Sequence, residues 1–183
     1  YTDFYSSEEH ASNVGKMFRP TMEPLLPNWK HMPIAYHGRS SSVITTNTPI
    51  KRPYGQVLKG AVSADRQEEV VYSKSKTLDI EIELGFVIGK ENELGTPINI
   101  NDATDYIFGA VLLNDFSARD IQRWEYQPLG PFLGKNFATA ISPWIVPYDA
   151  LQEFLTTAPT QTQNMLPYLQ EKNRKNFDIE ITF

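Results

Sequence analysis

The chain has 183 residues, of which 40% are hydrophobic and 12% aromatic, enough to fill the core of one domain of ordinary size. Its net charge of −5 and its 17 scattered basic residues argue against nucleic-acid or anionic-membrane partners, because such surfaces concentrate Lys and Arg. No apolar stretch reaches the roughly 18 residues of a membrane-spanning helix and no apolar leader precedes the first motif, so we expect a cytoplasmic protein. Cysteine is absent, and any metal ion would therefore need oxygen or imidazole ligands.

The N-terminal third of the chain is predicted to combine one helix with long loops. Residues 1–5 fit a short extended segment, and residues 6–9 have the S-x-x-E spacing that starts a helix, which we extend to about residue 17. His10 then lies in the first turns of this helix. Residues 20–54 are rich in Pro, Gly, Ser and Thr, which predicts loops with short strands in a stretch long enough to be functional.

The rest of the chain is predicted to mix strands with short helices. Hydrophobic periodicity predicts strands at residues 78–88, 106–113, 141–146 and 177–183. Helices or helical turns are expected at residues 99–105, 117–124 and 149–155, with Ser117 and Asp149 as caps. Residues 130–134 are expected to form a loop, and the polar residues 156–175 are expected to be exposed. The last strand stops within a regular alternation and residue 1 is Tyr, so we expect a piece of a longer protein. The pattern favours a mostly β fold with short helices, of the α+β class.

The strand predicted at residues 78–88 carries three carboxylates on one face. Side chains alternate along a strand, so Asp79, Glu81 and Glu83 point to the side opposite the aliphatic residues. Neighbours on that face lie roughly 6.5 to 7 Å apart, close enough for two of them to bind one cation. A solvated outer face is the alternative interpretation.

Two further carboxylates, Asp3 and Asp115, stand where loops form pockets. Asp115 follows the buried apolar stretch and precedes a helix, and Asp3 precedes the first helix, so a cap or turn role is the alternative for each. Ca²⁺ and Mg²⁺ prefer several oxygen ligands, and Asp3 and Asp115 with Glu81 and Glu83 make a suitable set.

The helix after Asp115 and the loop beyond it carry candidate donors of hydrogen bonds. Arg119, Gln122 and Tyr126 follow one another at steps of three and four residues, which places them on one helix face. Such a face suits a substrate carboxylate or a developing enolate, with an exposed polar face as the alternative. Lys135 follows a glycine-punctuated loop as either a site residue or a solvated tip, and His10 is either a general base near Asp3 or a surface histidine.

Five motifs in this order resemble those of the fumarylacetoacetase (fumarylacetoacetate hydrolase) family, and the match runs through most of the chain. The motifs are residues 3–10 (DFYSSEEH), 33–43 (PIAYHGRSSSV), 79–83 (DIEIE), 113–122 (LNDFSARDIQ) and 131–135 (PFLGK). Five ordered motifs are far more specific than any one of them.

The resemblance implies that residues 1–183 are part of a catalytic domain built on a mixed, mostly β roll. It also implies that the intact protein is a dimer. It assigns Mg²⁺ or Ca²⁺ to Asp3, Glu81, Glu83 and Asp115, and the role of general base to His10. It further assigns oxyanion stabilisation to Arg119, Gln122 and Lys135, substrate binding to Tyr5, Arg19, Tyr36 and Tyr126, and a second cation to Lys135 and Thr139.

The implied reaction is hydrolysis of a carbon-carbon bond in a 1,3-diketo acid, fumarylacetoacetate, giving fumarate and acetoacetate at the end of tyrosine breakdown. Family members also carry an SH3-like domain before residue 1 and a long part after residue 183, including a glutamate that partners the histidine, so we expect residues 1–183 alone to turn over poorly. Two alternatives stay open. One is a related oxo-acid hydrolase, hydratase or decarboxylase, and the other is a non-catalytic metal-binding module.

Overall fold

The structure is a computed structural model that describes residues 1–59 and 69–182. Its three α-helices are α1 (Glu8–Phe18), α2 (Arg119–Glu125) and α3 (Leu133–Asn136). Short 3-10 helices cover Pro27–Lys30, Ile100–Tyr106, Tyr148–Phe154 and Pro167–Leu169. No helix in these residues is long and apolar enough to cross a membrane.

The strands are short and form several small sheets. In chain order they are β1 (Asp3–Phe4), β2 (Ala35–Tyr36), β3 (Val43–Thr45), β4 (Tyr54–Lys59), β5 (Glu69–Lys74), β6 (Leu78–Asp79), β7 (Ile82–Ile88), β8 (Ile107–Asp115), β9 (Ser117–Ala118), β10 (Thr139–Ile141), β11 (Val146–Pro147), β12 (Leu155–Thr157) and β13 (Lys175–Phe177). Strands and helices together confirm the α+β class.

The chain divides into two compact units, and the division falls inside β7 and β8. The first unit comprises Tyr1–Glu83 and Leu113–Ile141, and the second comprises Leu84–Leu112 and Ser142–Phe183.

In the described part of the first unit, five strand pairs are formed, and all except that of β4 with β5 connect segments that are distant in sequence. β1 pairs with β2, β4 with β5, and β6 with β9, all antiparallel. β10 runs antiparallel to the end of β8 and parallel to β3, so that Thr139 lies opposite Asp115 on one side and Val43 on the other. These pairings bring the N-terminal motifs beside the end of β8.

A small apolar core holds α2 against β4 in the first unit. Val57, Ala118 and Ile121 are buried together. Gly55 has no side chain, and a Cβ at this position would lie 2.8 Å from the Ile121 side chain, so only glycine permits this close approach. Gly134 likewise permits the close approach of α3 to α2, since a Cβ at this position would lie 2.8 Å from the Gln122 backbone nitrogen. α2 and α3 therefore pack closely enough to set the position of the residues that follow Gly134.

In the second unit, β11 pairs with β8 and β12 pairs with β13. The buried residues among those described are Gly109, Ala110 and Val111, all on β8. The Phe177 ring packs 5.9 Å from that of Phe86 and 6.4 Å from that of Tyr148, centroid to centroid.

Two strand predictions are wrong in extent. The strand expected at residues 78–88 is interrupted, because Ile80 and Glu81 belong to neither β6 nor β7. β6 pairs with β9, whereas the Glu81 backbone N–H donates to the side-chain oxygen of Asn114 at 3.2 Å, so the partner changes at this point. The strand expected at residues 141–146 is interrupted in the same way. Only its first residue, Ile141, belongs to β10, and only its last residue, Val146, belongs to β11.

The C-terminal strand prediction is also wrong over most of its length. β13 ends at Phe177, and residues 178–182 form no strand, while Phe183 lies outside the described residues. The Asp178 N–H still donates to the Phe154 carbonyl at 2.7 Å, just before β12 begins. An alternating sequence is not sufficient for a strand, because a strand also needs a neighbour to pair with.

Three cap predictions need correction. Helix α1 begins with Ser7 as its cap, accepting the His10 N–H at 3.1 Å, one residue later than the S-x-x-E spacing predicts. Ser117 does not cap α2, because it belongs to β9 and its hydroxyl donates to the Asp115 carbonyl at 3.3 Å. Asp149 lies inside the 3-10 helix Tyr148–Phe154, whose cap position is Pro147.

Candidate active site

The centre of the candidate site is the ammonium group of Lys135, which links two carboxylates. Its Nζ donates to Glu81 Oε2 and lies 3.0 Å from Asp115 Oδ2. Lys135 is 2% exposed and Asp115 is fully buried, so the prediction of a solvated loop tip is excluded. Burial removes solvent screening, and the attraction between these charges is therefore much stronger than at the surface.

Asp3 joins the same cluster through two tyrosine hydroxyls. The pairing of β1 with β2 places Asp3 opposite Tyr36, whose hydroxyl donates to Asp115 Oδ2 and lies 3.5 Å from Asp3 Oδ2. Tyr1 donates to the same Asp3 oxygen at 3.0 Å. Burial and the neighbouring Asp115 charge raise the pKa of Tyr36 well above its usual range, so this phenol remains a proton donor.

His10 lies against Glu81. The Ser7 cap fixes the first turn of α1, and His10 Nε2 lies 3.3 Å from Glu81 Oε1. The ring of Tyr5 packs edge-on against the imidazole at 5.6 Å between centroids, and its hydroxyl donates to the Ala11 carbonyl at 3.3 Å. A carboxylate that accepts one imidazole N–H fixes the ring orientation, which a general base requires.

The guanidinium of Arg119, the first residue of α2, contacts three neighbouring side chains. It contacts Asp79 at 2.8 Å, Glu81 at 2.7 Å and the Gln122 side-chain oxygen at 3.0 Å. Since a guanidinium has five N–H donors, these three contacts leave two for a ligand. The hydrogen bond from Arg119 to Gln122 orients the Gln122 amide with its oxygen toward Arg119. Both N–H groups of this amide therefore point away from Arg119 and can act as donors.

The remaining predicted site residues lie at the ends of helices α1 and α2 and on β10. Arg19 ends α1 and donates to the Pro24 carbonyl at 3.0 Å. Tyr126 ends α2, with its ring 5.2 Å from that of Phe18. Thr139 is fully buried on β10 and donates to Asp115 Oδ1 at 2.9 Å. The substrate-binding roles assigned to Arg19 and Tyr126 stay predictions.

Charges around the cluster are unevenly balanced. Burial by itself would raise the pKa of Glu81, but the hydrogen bond from His10 and the charges of Lys135 and Arg119 hold it well below the usual range. Burial and the neighbouring carboxylates instead raise the pKa of Glu83 to about 8 and that of Asp3 to about 6. The carboxylates of this cluster therefore carry more negative charge than its basic side chains balance.

The chemistry of these side chains suits a hard divalent cation, although they are not arranged around one. The surplus charge is carried by carboxylate oxygens, which are the ligands that Ca²⁺ and Mg²⁺ prefer. In residues 1–59 and 69–182, however, no group of three or more His, Asp or Glu side chains is arranged to hold an ion. The four-ligand assignment to Asp3, Glu81, Glu83 and Asp115 therefore stays a prediction.

The second-cation assignment to Lys135 and Thr139 also stays a prediction. Here the Lys135 ammonium donates to two carboxylates, and it has no lone pair for a cation. The Thr139 hydroxyl donates to Asp115 and accepts a hydrogen bond from Arg39.

Comparison with known proteins decides the relationship that the motifs indicate. The family model described as fumarylacetoacetate (FAA) hydrolase C-terminal matches residues 1–179. The chain belongs to the fumarylacetoacetate hydrolase family. Curated relatives include fumarylacetoacetases from Rattus norvegicus (54% identical over 182 residues), Dictyostelium discoideum (53% over 184) and Homo sapiens (53% over 182). All of this chain is covered in each case, and it spans 42% of each relative's length.

The structure gives contacts to three residues outside the predicted set of site residues. Of these, Asp79 is predicted only as one of three carboxylates on a strand face, and Arg39 and Glu125 have no predicted role. Asp79 contacts Arg119, and Glu125 accepts the backbone N–H groups of Phe132, Leu133 and Gly134 at 2.7 to 2.9 Å. Arg39 contacts Asp115. Asp79 and Arg39 stand inside two of the motifs, but spacing along the chain gives no sign of the partners they meet.

Proposed function

We propose that this chain carries the metal centre and most of the catalytic pocket of an enzyme that hydrolyses fumarylacetoacetate to fumarate and acetoacetate. The observation that carries the proposal is the meeting of four side chains in one cluster, in which Lys135 and Asp115 are buried and Glu81 and His10 are partly exposed. The curated relatives named fumarylacetoacetase support the choice of substrate. A cytoplasmic location and a homodimer of the intact protein belong to the same proposal.

The reaction needs water to add to a carbonyl and a carbanion to leave as an enolate. A bound Mg²⁺ or Ca²⁺, held by the four carboxylates, would supply Lewis-acid polarisation of the two keto oxygens. His10 takes a proton from the attacking water, whose hydroxide adds to the carbonyl carbon. The bond between this carbonyl carbon and the neighbouring CH₂ carbon then breaks, so that the attacked carbon becomes a carboxyl group of fumarate and the electron pair of the bond forms the enolate. The proton that His10 took is returned to the CH₂ carbon, which completes acetoacetate.

The hydrogen-bond donors of the cluster suit the oxyanion formed in this step. Arg119 retains two N–H groups, the Gln122 amide retains both, and the Lys135 ammonium retains one beyond its two carboxylate contacts. Fixed donors in a buried site stabilise developing negative charge without reorganisation. Tyr5, Arg19, Tyr36 and Tyr126 surround this position in the proposal and hold the substrate carboxylate and keto oxygens.

The test uses the complete protein that contains this chain. Purified protein with Mg²⁺ or Ca²⁺ is given fumarylacetoacetate, and fumarate and acetoacetate are quantified as products. Acylpyruvates and other oxo acids are supplied in parallel to test the related reactions. Turnover of another oxo acid with no turnover of fumarylacetoacetate would contradict the proposed substrate, whereas cation binding without turnover of any of them would indicate a non-catalytic module.

A further inference from the structure

Arg39 is the most heavily bonded buried side chain of the loop between β2 and β3. It is 7% exposed, and its Nη1 lies 2.6 Å from Asp115 Oδ1 and also donates to the Thr139 hydroxyl. Its Nη2 donates to the backbone carbonyl of Lys135. The ring of Tyr1 covers the guanidinium, with 5.7 Å between Cζ and the ring centroid. One planar group thus connects the loop, the end of β8, α3 and β10.

The two oxygens of Asp115 have separate sets of partners. Oδ1 accepts from Arg39 and from Thr139 at 2.9 Å, whereas Oδ2 accepts from Tyr36 and lies 3.0 Å from Lys135 Nζ. Fixing Oδ1 also fixes the plane of the carboxylate. Oδ2 is therefore the oxygen turned toward Lys135 and the other carboxylates of the cluster.

Only an arginine has the geometry for these contacts. Its planar fork presents donors at fixed angles, so the Asp115 carboxylate and the Lys135 carbonyl are held relative to each other. A lysine could supply the charge but would act as a point donor on a flexible stem.

We infer that Arg39 is a positioning residue that turns Asp115 Oδ2 toward the divalent-cation site and fixes the backbone at Lys135, without contacting cation or substrate. The inference rests on the proposed function, because it concerns the cation site of that reaction. Hydrogen-bonded partners of metal-ligating carboxylates typically change metal affinity by about 10- to 100-fold when they are removed.

The experiment measures cation binding directly, in the complete protein. Metal-free Arg39→Gln, Arg39→Lys and unaltered protein are titrated with Ca²⁺ and, separately, Mg²⁺ in a calorimeter. Arg39→Gln is expected to weaken binding about 10- to 100-fold, and Arg39→Lys to lie between it and the unaltered protein. Arg52→Gln is the matched control, since Arg52 is exposed and donates to the Ser75 carbonyl at 2.9 Å, and its binding should not change.

A second measurement separates positioning from general support of the fold. Activity is followed as a function of cation concentration, and Arg39→Gln should raise the half-saturating concentration while recovering most of kcat at saturation. An equal loss of activity at every cation concentration would overturn the inference, as would unchanged calorimetric affinity. If circular dichroism shows that Arg39→Gln does not fold, the cation affinity of Arg39→Lys is used to test the inference instead. Unchanged affinity in Arg39→Lys would overturn the role of the planar fork.

Failure of the proposed function has a different signature. Unaltered protein that binds neither cation would overturn the cation site itself, and the role of Arg39 with it. Unaltered protein that binds a cation and hydrolyses the substrate, with Arg39 variants that bind equally well, would overturn the role of Arg39 alone.

Discussion

The two units of the chain differ in what fills their interiors. In the first unit the buried residues include charged and polar side chains, among them Asp115, Arg119, Lys135 and Thr139. In the second unit the buried residues among those described are confined to Gly109, Ala110 and Val111, while Leu94 is fully exposed and Trp144 is 79% exposed. Every predicted site residue belongs to the first unit.

The two units should therefore differ in how strongly their stability depends on polar contacts. A buried polar cluster is stable only when its members are paired, because an unpaired buried charge costs several kcal/mol. The first unit is thus sensitive to single polar substitutions at its centre. The second unit, with few buried contacts, should open locally at a smaller free-energy cost. Four predictions test this comparison.

The largest effect is expected from His10→Ala in the complete protein. Loss of a general base typically lowers the rate by about 10² to 10⁴, while cation affinity should remain close to that of the unaltered protein because His10 is assigned to proton transfer. Steady-state kinetics and calorimetric titration with Ca²⁺ or Mg²⁺ measure the two quantities. His31→Ala, at an exposed position, is the control. A fall in cation affinity as steep as the fall in rate would make His10 a ligand.

Lys135→Met is expected to destabilise the first unit of the metal-free protein. It removes the ammonium that pairs with Glu81 and Asp115, so that among the described residues Glu81 keeps only Arg119 and His10 as partners of opposite charge and Asp115 keeps only Arg39. Removing one partner of a buried ion pair typically costs about 3 to 5 kcal/mol, and the remaining partners place this loss at the lower end of that range. Urea unfolding monitored by circular dichroism measures the free energy of unfolding. Lys90→Met in the second unit provides the comparison, since Lys90 is exposed, and it should change this free energy far less. Equal effects of the two substitutions would remove the distinction between the units.

The metal-free protein should lose stability as pH rises. The folded-state pKa of Asp3 is raised from 3.8 to about 6 and that of Glu83 from 4.5 to about 8. Their stabilising contribution is therefore present below the ordinary values and is lost as pH rises through the folded values. Thermal melting in EDTA between about pH 5 and pH 9 should show a falling Tm, which added Ca²⁺ or Mg²⁺ raises again. A Tm that rises steadily over this range would contradict the predicted surplus of negative charge.

The smallest effect concerns native-state hydrogen exchange. Backbone amides of the second unit, including β12 and β13, should exchange faster than those of β10 and α2, because fewer buried contacts oppose local opening. Mass spectrometry of peptides from the complete protein, with and without Ca²⁺ or Mg²⁺, measures the difference. Cation binding should slow exchange chiefly in the first unit. Equal protection of β10 and β13 would show that buried polar contacts do not govern local stability here.

Local features of the sequence were sufficient for some parts of the fold and site. The Ser-rich start of α1, with His10 in its first turn, follows from capping chemistry within a few residues, and the structure moves the cap by only one position. Strand β8 follows from a nearly continuous apolar stretch, and most of its residues are buried or partly buried, although Phe108 and Leu112 are exposed. Ser117 shows where local features were not sufficient. Its sequence suits a helix cap, but its pairing with Asp79 makes it part of strand β9. Tertiary pairing prevails over local preference when the two compete.

Five ordered motifs were sufficient to predict the family and to select the candidate site residues, among them Asp3, His10, Glu81, Asp115 and Lys135. Which of these side chains contact one another follows from the fold. Arg39 and Asp115 are 76 residues apart, and Lys135 and Glu81 are 54 apart. Such contacts depend on the register of β10 against β3 and β8 and on the close approach of α3 to α2 at Gly134. Spacing along the chain carries no information on that register, because strand pairing is set by packing between distant segments.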